Sequence, residues 1–365
     1  MIELFESVPN FSEGRDVTVM GELVRAAHKA YYLDFDADRD HNRVVISIAG
    51  PRAKLVDALL TSVAEAVERI DLRTHHGVHP RVGAADVIPI IPLGSATLET
   101  ARDVAHEIAA RIWDELHVPV FYYGHGEGKR LVDIRAVRAT PDVGGPELHP
   151  TAGAVSVGAR ASLVAFNVIL HETDIVAARA LARSIRETSA GGLRGVQALV
   201  FQLTGNRVQL SMNLFRLDET TPAQIISELE RRGASVGAQE LVGLCPAVAA
   251  NAAAAGRVLE GRLAAVAAGR ASRRARSMGD EEHIALASRL WKVSGDLMKL
   301  GVDQDALLAG AEQAAALVAV LRAGGVLDDE LEALLDAAAR GLRAAITPAT
   351  EAIYAARVAA LDRRD

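Results

Sequence analysis

The apolar positions along the chain change period several times, and these changes predict its elements. Leu4 to Val8 is a short apolar run. From about Asp16 to His28, Val17, Met20, Leu23, Val24 and Ala27 fall on one face of a helix. Tyr31 to Asp36 reads as a strand ending in acids. Arg43 to Ala49 is apolar on both sides of the alternation, the pattern of a strand buried on both faces. Gly50-Pro51 turns into a helix reaching about Val67, and Asp86 to Ile91 forms another strand. The order is βαββαβ.

The second half repeats it. Leu163 to Leu170 is a strand and Thr173 to Arg186 a helix. Val196 to Leu203 and Val208 to Leu214 are strands joined at Thr204-Gly205-Asn206. Thr221-Pro222-Ala223-Gln224 has the form of a capping box and opens a helix ending near Gly233, with a last strand at Leu241 to Leu244. Such an order predicts an α/β (α+β) fold of two tandem ferredoxin-like βαββαβ subdomains forming a groove. A helix, Leu98 to Leu116, a strand, Val118 to Tyr123, and a Gly/Pro-rich link, Pro141 to Gly153, lie between them. After Pro246 the chain is rich in alanine, leucine and arginine, which predicts a C-terminal all-helical domain of four or five helices. The basic run Arg270 to Arg276 is expected to separate the first helix from the rest, as a solvated helix end or, alternatively, an anion-binding patch. The expected domains are 1–155, 156–248 and a helical tail, 249–365, that packs as a bundle and helps to set an oligomer.

Composition narrows the class. The 365 residues are half hydrophobic, but only 4% are aromatic, so the core rests on aliphatic side chains. A net charge of −7 argues against a nucleic-acid binder. The single cysteine, Cys245, excludes an internal disulfide and any multi-cysteine cluster. Neither a secretory leader nor an uninterrupted apolar run of bilayer length is visible, so a cytoplasmic protein with no membrane partner is expected.

The chemistry concentrates in Arg73 to Pro89, which holds His75, His76, His79, Arg73 and Arg81 around Gly77 and Pro80. Gly77 and Pro80 make this a loop leading into a buried strand. Histidine exchanges protons near neutral pH and arginine grips anions, which together suit acid–base work on an anionic substrate. His75 and His79 have the spacing of a metal pair on a helix, but the loop removes the helix, so no metal is expected. Asn10 follows the first strand, where it either caps the next turn with Ser12 or faces a ligand. Asp34 and Asp36 share one side of a strand, as a solvated acidic turn or as carboxylates for a cation or a histidine. Gln209, Ser211 and Asn213 alternate with apolar residues, either facing solvent or lining a polar cleft.

These residues carry a resemblance. Val8-Pro9-Asn10-Phe11-Ser12-Glu13-Gly14, Asp36 with Asn42-Arg43, and His75-x-Gly77-x-His79-Pro80-Arg81-x-Gly83-Ala84-x-Asp86-Val87 resemble the tetrahydrofolate-dependent glutamate formiminotransferase (formimidoyltransferase) family. Phe121-Tyr122-Tyr123-Gly124, Gly158-Ala159-Arg160, Ala165-Phe166-Asn167-Val168, Ile185-Arg186-Glu187, Gln209 to Leu214 and Leu241 to Leu244 continue it in order over about residues 1–250. The resemblance implies transfer of a formimino group from N-formimino-glutamate to N5 of tetrahydrofolate, a one-carbon step of histidine degradation, with the folate as co-substrate. It implies His79 as catalytic acid/base, with Asp36 and Asn10. It places substrate and folate binding on Arg43, Arg81, Arg160, Asn167, Gln209, Asn213 and a loop holding Gly145, Pro146, Pro150 and Gly153.

Three departures stand out: Val78 where the family has an acid, a shorter segment at about Val137 to Gly144, and a tail without the glycine-rich opening of a cyclodeaminase domain. They leave room for a formyl donor or another amino partner in the same groove, and call for a separate cyclodeaminase if formimino is transferred. The rival class is a non-catalytic folate-binding sensor. The partners expected are small molecules and a second copy of the chain, as a dimer.

Overall fold

The computed structural model describes residues 2–127, 129–136 and 139–361. The chain divides into two compact units, one of residues 3–162 with 200–209, the other of 163–199 with 210–365.

In the first unit, β1 (Leu4–Ser7) and β2 (Asn10–Phe11) are two halves of one extended stretch broken at Val8-Pro9. α1 (Val17–Ala27), β3 (Tyr31–Asp38), β4 (Arg43–Pro51), α2 (Arg52–Arg69) and β5 (Ala85–Leu93) complete the βαββαβ order. The β1/β2 stretch lies between β4 and β5 and is antiparallel to both, and β3 pairs with the far side of β4. α3 (Leu98–Leu116), β6 (Val120–Tyr122), α4 (Leu131–Arg135) and β7 (Val155–Ala159) extend this seven-stranded sheet past β5, with β7 parallel to both β5 and β6. The main core is aliphatic: Ile46 and Ile48 of β4 and Ile88 and Ile90 of β5 meet Leu55, Leu59 and Val63 of α2 and Val104, Ile108 and Ile112 of α3. Removing that much apolar surface from water is the dominant stabilising term.

Asn10 is a strand residue, and Asp16 caps α1, its side chain accepting from the Thr18 and Val19 amides. The expected cap role of Asn10 or Ser12 is therefore filled four to six residues later. Of the shortened segment, Val137 and Arg138 lie outside the described residues; Asp142 and Val143 pair with the backbone at Val120.

The second βαββαβ set, β8 (Val164–His171), α5 (Ile175–Ile185), β9 (Val196–Gln202), β10 (Val208–Leu214), α6 (Pro222–Arg231) and β11 (Ser235–Val242), gives the sheet order β11-β8-β10-β9, with the facing ends of β9 and β10 at 200–209 counted in the first unit. That is the order of the first four-strand set, so the duplicated architecture read from the sequence is present. Thr221 and Gln224 form the expected capping box, with Pro222 at the start of α6. The β9–β10 turn uses Gly205 and Asn206 at positive φ. β11 begins six residues earlier than the apolar pattern indicates, because its exposed first part lacks alternation.

Five helices follow: α7 (Leu259–Met278), α8 (Glu281–Leu297), α9 (Gln304–Ala323), α10 (Asp329–Ala345) and α11 (Pro348–Leu361). Arg270 to Arg276 lies inside α7 and does not separate helices; Ala267, Ala268, Ala271 and Ala275 bury one stripe while Arg270, Arg273, Arg274 and Arg276 are turned to the exposed side. Among the described residues one helix, α9, is long and apolar enough to cross a membrane, with mean hydropathy 1.5. Its Leu307, Leu308, Ala311, Ala314, Leu317 and Leu321 are buried, and it packs against α10 and α11 as a bundle core helix does.

Candidate active site

Three loops at one end of the first sheet are tied together by their own polar groups. After β2, the Ser12 hydroxyl donates to Gly83 O at 2.8 Å and the Gly14 amide donates to Asn42 Oδ1 at 2.9 Å. Asn42, held at φ 48°, donates through Nδ2 to His76 O at 3.0 Å. The Val78 amide donates to Asp40 O at 3.2 Å. Glycine is needed at two of the crossings: a Cβ on Gly77 would stand 2.3 Å from His41 O, and one on Gly83 would stand 1.8 Å from Ala154 O.

Arg81 locks this cluster. Its guanidinium donates to His79 O at 2.8 Å and His41 O at 3.1 Å, and lies against the His75 ring. The arginine that the sequence offers for an anion is thus turned onto backbone carbonyls. Burial first, then the Arg81 charge, lowers the pKa of His75.

His79 sits at the centre. Arg43 Nη1 donates to its Nε2 at 3.3 Å. Because arginine only donates, that ring nitrogen carries the lone pair and the proton of the neutral ring sits on Nδ1. The His41 ring stands edge-on at 5.9 Å, and Phe201, which belongs to the same unit, packs 5.0 Å from His41 and 5.9 Å from His79. Burial, then the charges of Arg43, Arg135, His41 and Arg81, pull the His79 pKa down to about 2. His79 is a neutral base across the physiological range.

The carboxylates lie on the face of the sheet that Arg43 shares. Val45 is paired with Asn10 on one side and Asp36 on the other, so all three side chains share that face, as does Arg43 two residues along β4. Asp34 is in register with Ser47, and buried Glu6 with Ala49, on this same side. The Ser47 hydroxyl is buried with no hydrogen-bond partner. Asp38 accepts from the His41 amide and Nδ1, both at 2.8 Å; burial raises its pKa, but these bonds outweigh burial and hold it at about 2.

Two groups were not legible beforehand. His41 reads in sequence as part of an acidic turn, yet its ring is buried between Asp38, His79 and Phe201. Arg135, on α4, reaches Asp86 Oδ2 at 2.6 Å, and its buried Nε has no partner. Only Ile134 gives α4 a buried anchor, so its pattern carries little signal.

The loop at Gly145 to Gly153 is pinned beside the histidine loop. Gly153, at φ 70°, bridges to Gly83, the Ala84 amide donates to Ala152 O at 2.9 Å, and the Ala154 amide donates to Val82 O at 3.1 Å. Pro146 and Pro150 are exposed, and a Cβ added to Gly145 would meet nothing within 4 Å. Arg160 follows β7, with its amide donating to Ile90 O at 3.0 Å. In the second unit Asn167 is buried and donates to Glu240 Oε2 at 3.0 Å, while Asn213 is exposed. Gln209 is buried, and its Oε1 has no partner, against the solvent-facing alternative. Val78, where the family carries an acid, is 44% exposed. Among the described residues no three His, Cys, Asp or Glu side chains are grouped to hold a metal.

The formiminotransferase domain, N-terminal subdomain, matches residues 4–160, the span that holds the loop cluster. Glutamate formimidoyltransferase of Streptococcus pyogenes is 35% identical, over 68% of this chain and 91% of the relative. The chain belongs to the glutamate formimidoyltransferase family. It is a transferase enzyme of that family. Glutamate formimidoyltransferase of Thermoplasma acidophilum is also 35% identical, over 67% of this chain and 89% of its own length. The formimidoyltransferase-cyclodeaminase of Gallus gallus is 35% identical but is matched over 51% of its length.

Proposed function

We propose that this member of the family moves a formimino group from N-formimino-glutamate to N5 of tetrahydrofolate, with His79 as the proton carrier. N5 attacks the amidine carbon, the bond from that carbon to the glutamate nitrogen breaks, and the proton leaving N5 ends on the departing amine. One ring nitrogen that takes the proton and then gives it up balances the reaction. The observation that carries this reading is His79, half-buried and held neutral, whose Nε2 lone pair takes a long hydrogen bond from Arg43.

A carboxylate is a better partner for Arg43 than an imidazole, because the bond becomes charge-assisted. An arriving glutamate carboxylate that takes Arg43 frees Nε2 and offsets the largest of the charges that, after burial, keep His79 from accepting a proton. Asp36 and Asn10, on the same sheet face, suit the cationic amidine. The folate is proposed to run along the Gly145 to Gly153 loop, with the neutral polar side chain of Gln209 and the cation of Arg160 serving its remaining polar groups.

The test is incubation with tetrahydrofolate and either N-formimino-glutamate or N-formyl-glutamate, read by the absorbance change on N5 substitution. Turnover with the formimino donor is expected to dominate; a preference for the formyl donor, or none for either, overturns the reading. His79→Ala is expected to lower turnover by roughly two to four orders of magnitude while folate affinity stays within a few-fold. Near wild-type turnover would remove His79 from the chemistry.

A further inference from the structure

β9 turns one aromatic side chain away from its own core. Its Val196 and Ala198 are buried, while Gln197 and Leu199 on the other face are exposed. Phe201 belongs by alternation to that second face, so it does not serve the core on which Val196 and Ala198 sit. Its ring lies edge-on to His41 at 5.0 Å and 5.9 Å from the His79 ring, and the two histidine rings are 5.9 Å apart. The three rings close a triangle in which Phe201 is the member that carries no proton and makes no hydrogen bond. The loop around His79 supplies no such cover, because His76, Gly77, Val78 and Pro80 are exposed.

The turn beyond Phe201 is tied to the same place. The Leu203 amide donates to Arg207 O at 2.9 Å and Arg207 Nε donates to Thr204 O at 3.2 Å, which braces the tip. From this tip the Thr204 hydroxyl donates to Asp40 Oδ1 at 2.9 Å, and Arg207 Nη2 donates to Asp40 Oδ2 at 3.3 Å. Asp40 O also accepts the Val78 amide at 3.2 Å. One residue between β3 and β4 therefore grips the β9–β10 turn with its side chain and the histidine loop with its backbone.

We propose that Phe201 is a positioning residue of this site, latched over the histidines by the grip of Asp40 on Thr204 and Arg207, where it keeps water off the His79 ring. The inference rests on the reading of His79 as the proton carrier. Excluding water protects the transferred group as well as the base. With the cover gone, water takes the place of N5. Its oxygen bonds to the amidine carbon, the bond from that carbon to the glutamate nitrogen breaks, and the proton lost by water reaches the amine through His79. The products are formamide and glutamate, and the formimino group never reaches the folate.

Two readouts test it, the first independent of transfer. It is the pH titration of the His79 ring by NMR, its signal identified by loss in His79→Ala. Arg43 faces this ring from β4, His41 with its partner Asp38 from the end of β3, Arg81 from its own loop and Arg135 from α4, and Phe201→Ala changes none of them. That variant is expected to raise the His79 pKa from about 2 by roughly two units, through hydration alone. Asp40→Ala removes a negative charge, which by itself lowers the pKa of a histidine; loosening the latch raises it, and a rise is expected. Added to Phe201→Ala, the Asp40 change should give no further rise, since it acts through Phe201. Phe201→Tyr keeps the ring and should titrate as the wild type does.

The second readout is formamide released from N-formimino-glutamate without tetrahydrofolate. It is expected from Phe201→Ala and Asp40→Ala, and to stay at background in the wild type and Phe201→Tyr. An unshifted His79 in Phe201→Ala, with no formamide, overturns the inference. A lowered pKa in Asp40→Ala overturns the latch. A ring that shifts as expected in a chain that supports neither transfer nor hydrolysis upholds the cover and overturns the proposed reaction.

Discussion

Proton transfer is fastest from a base whose pKa lies near the working pH, and burial beside Arg43, Arg135, His41 and Arg81 places free His79 far below it. The free-enzyme profile should show this. kcat/KM reports groups in the free enzyme, so His79 is expected to give it no acidic limb between about pH 8 and 6. kcat reports the complex, where a bound carboxylate offsets Arg43 and raises the His79 pKa, so an acidic limb is expected there at higher pH. Arg43→Gln removes the second-ranked cause of the depression after burial. In that variant the free-enzyme pKa rises, and kcat/KM should fall as pH drops through the new value, on top of a uniform loss of substrate binding. An unchanged profile shape in Arg43→Gln would disconnect the two residues. The sequence, through its resemblance, singled out His79, Asp36, Asn10 and Arg43, and the structure puts Asp36, Asn10 and Arg43 on one sheet face. The direction of Arg81 was not legible, since which anion or carbonyl an arginine reaches depends on loops thirty to forty residues away.

Helices and strands were most legible where one period ran unbroken. α3, α5 and α6 were placed to within a residue or two of their ends, because capping residues and apolar stripes agree. β11 and the arginine-rich half of α7 were misread, as exposure removes the first's alternation and alanine hides the second's buried stripe. α7 also holds a group that sequence cannot single out. Glu260, in its first turn, is buried; Oε2 accepts the Ala247 amide at 2.9 Å, and a Cβ on Gly341 would come within 2.5 Å of Oε1. Burial raises its pKa from 4.5 to about 7. The folded state therefore binds the proton more tightly than the unfolded chain. The stabilisation from this proton is complete below the unfolded pKa of 4.5 and is lost as pH rises through about 7. Glu260→Gln keeps an acceptor for Ala247 and has no charge to bury. It should be more stable than the wild type at about pH 8, by something on the order of 2–3 kcal/mol, and nearly equal to it at about pH 5. Denaturant unfolding at the two pH values measures this; equal stability at both would mean that Glu260 ionises without cost.

At the scale of the whole chain, the repeated βαββαβ order was readable and the limits of the tail were not. The change of composition after Pro246 suggested a break near residue 249, but the bundle begins earlier. Ala247 and Val258 are buried in one cluster with Leu300, Leu307, Leu308, Leu342 and Ile346. The Cys245 amide donates to Arg257 O and the Leu259 amide to Cys245 O, both at 2.9 Å, while Arg257 Nη1 donates to Leu241 O at 3.0 Å. A cut near residue 250 strips the partners from Ala247 and Cys245, whereas a cut after Gly243 removes the bundle with its own apolar residues. The Streptococcus pyogenes relative, matched over 91% of its length by 68% of this chain, has no room for a tail of this size. Residues 1–243 are therefore expected to fold, at reduced stability, and to keep formimino transfer within about tenfold of the full chain, a loss of about 1.4 kcal/mol or less in the barrier. Residues 1–250 should be less soluble than 1–243, because Ala247 and the Cys245 segment are left exposed. Expression of both, with circular dichroism, light scattering and the tetrahydrofolate assay, decides it. A folded 1–243 chain with no transfer activity would put the bundle inside the catalytic machinery.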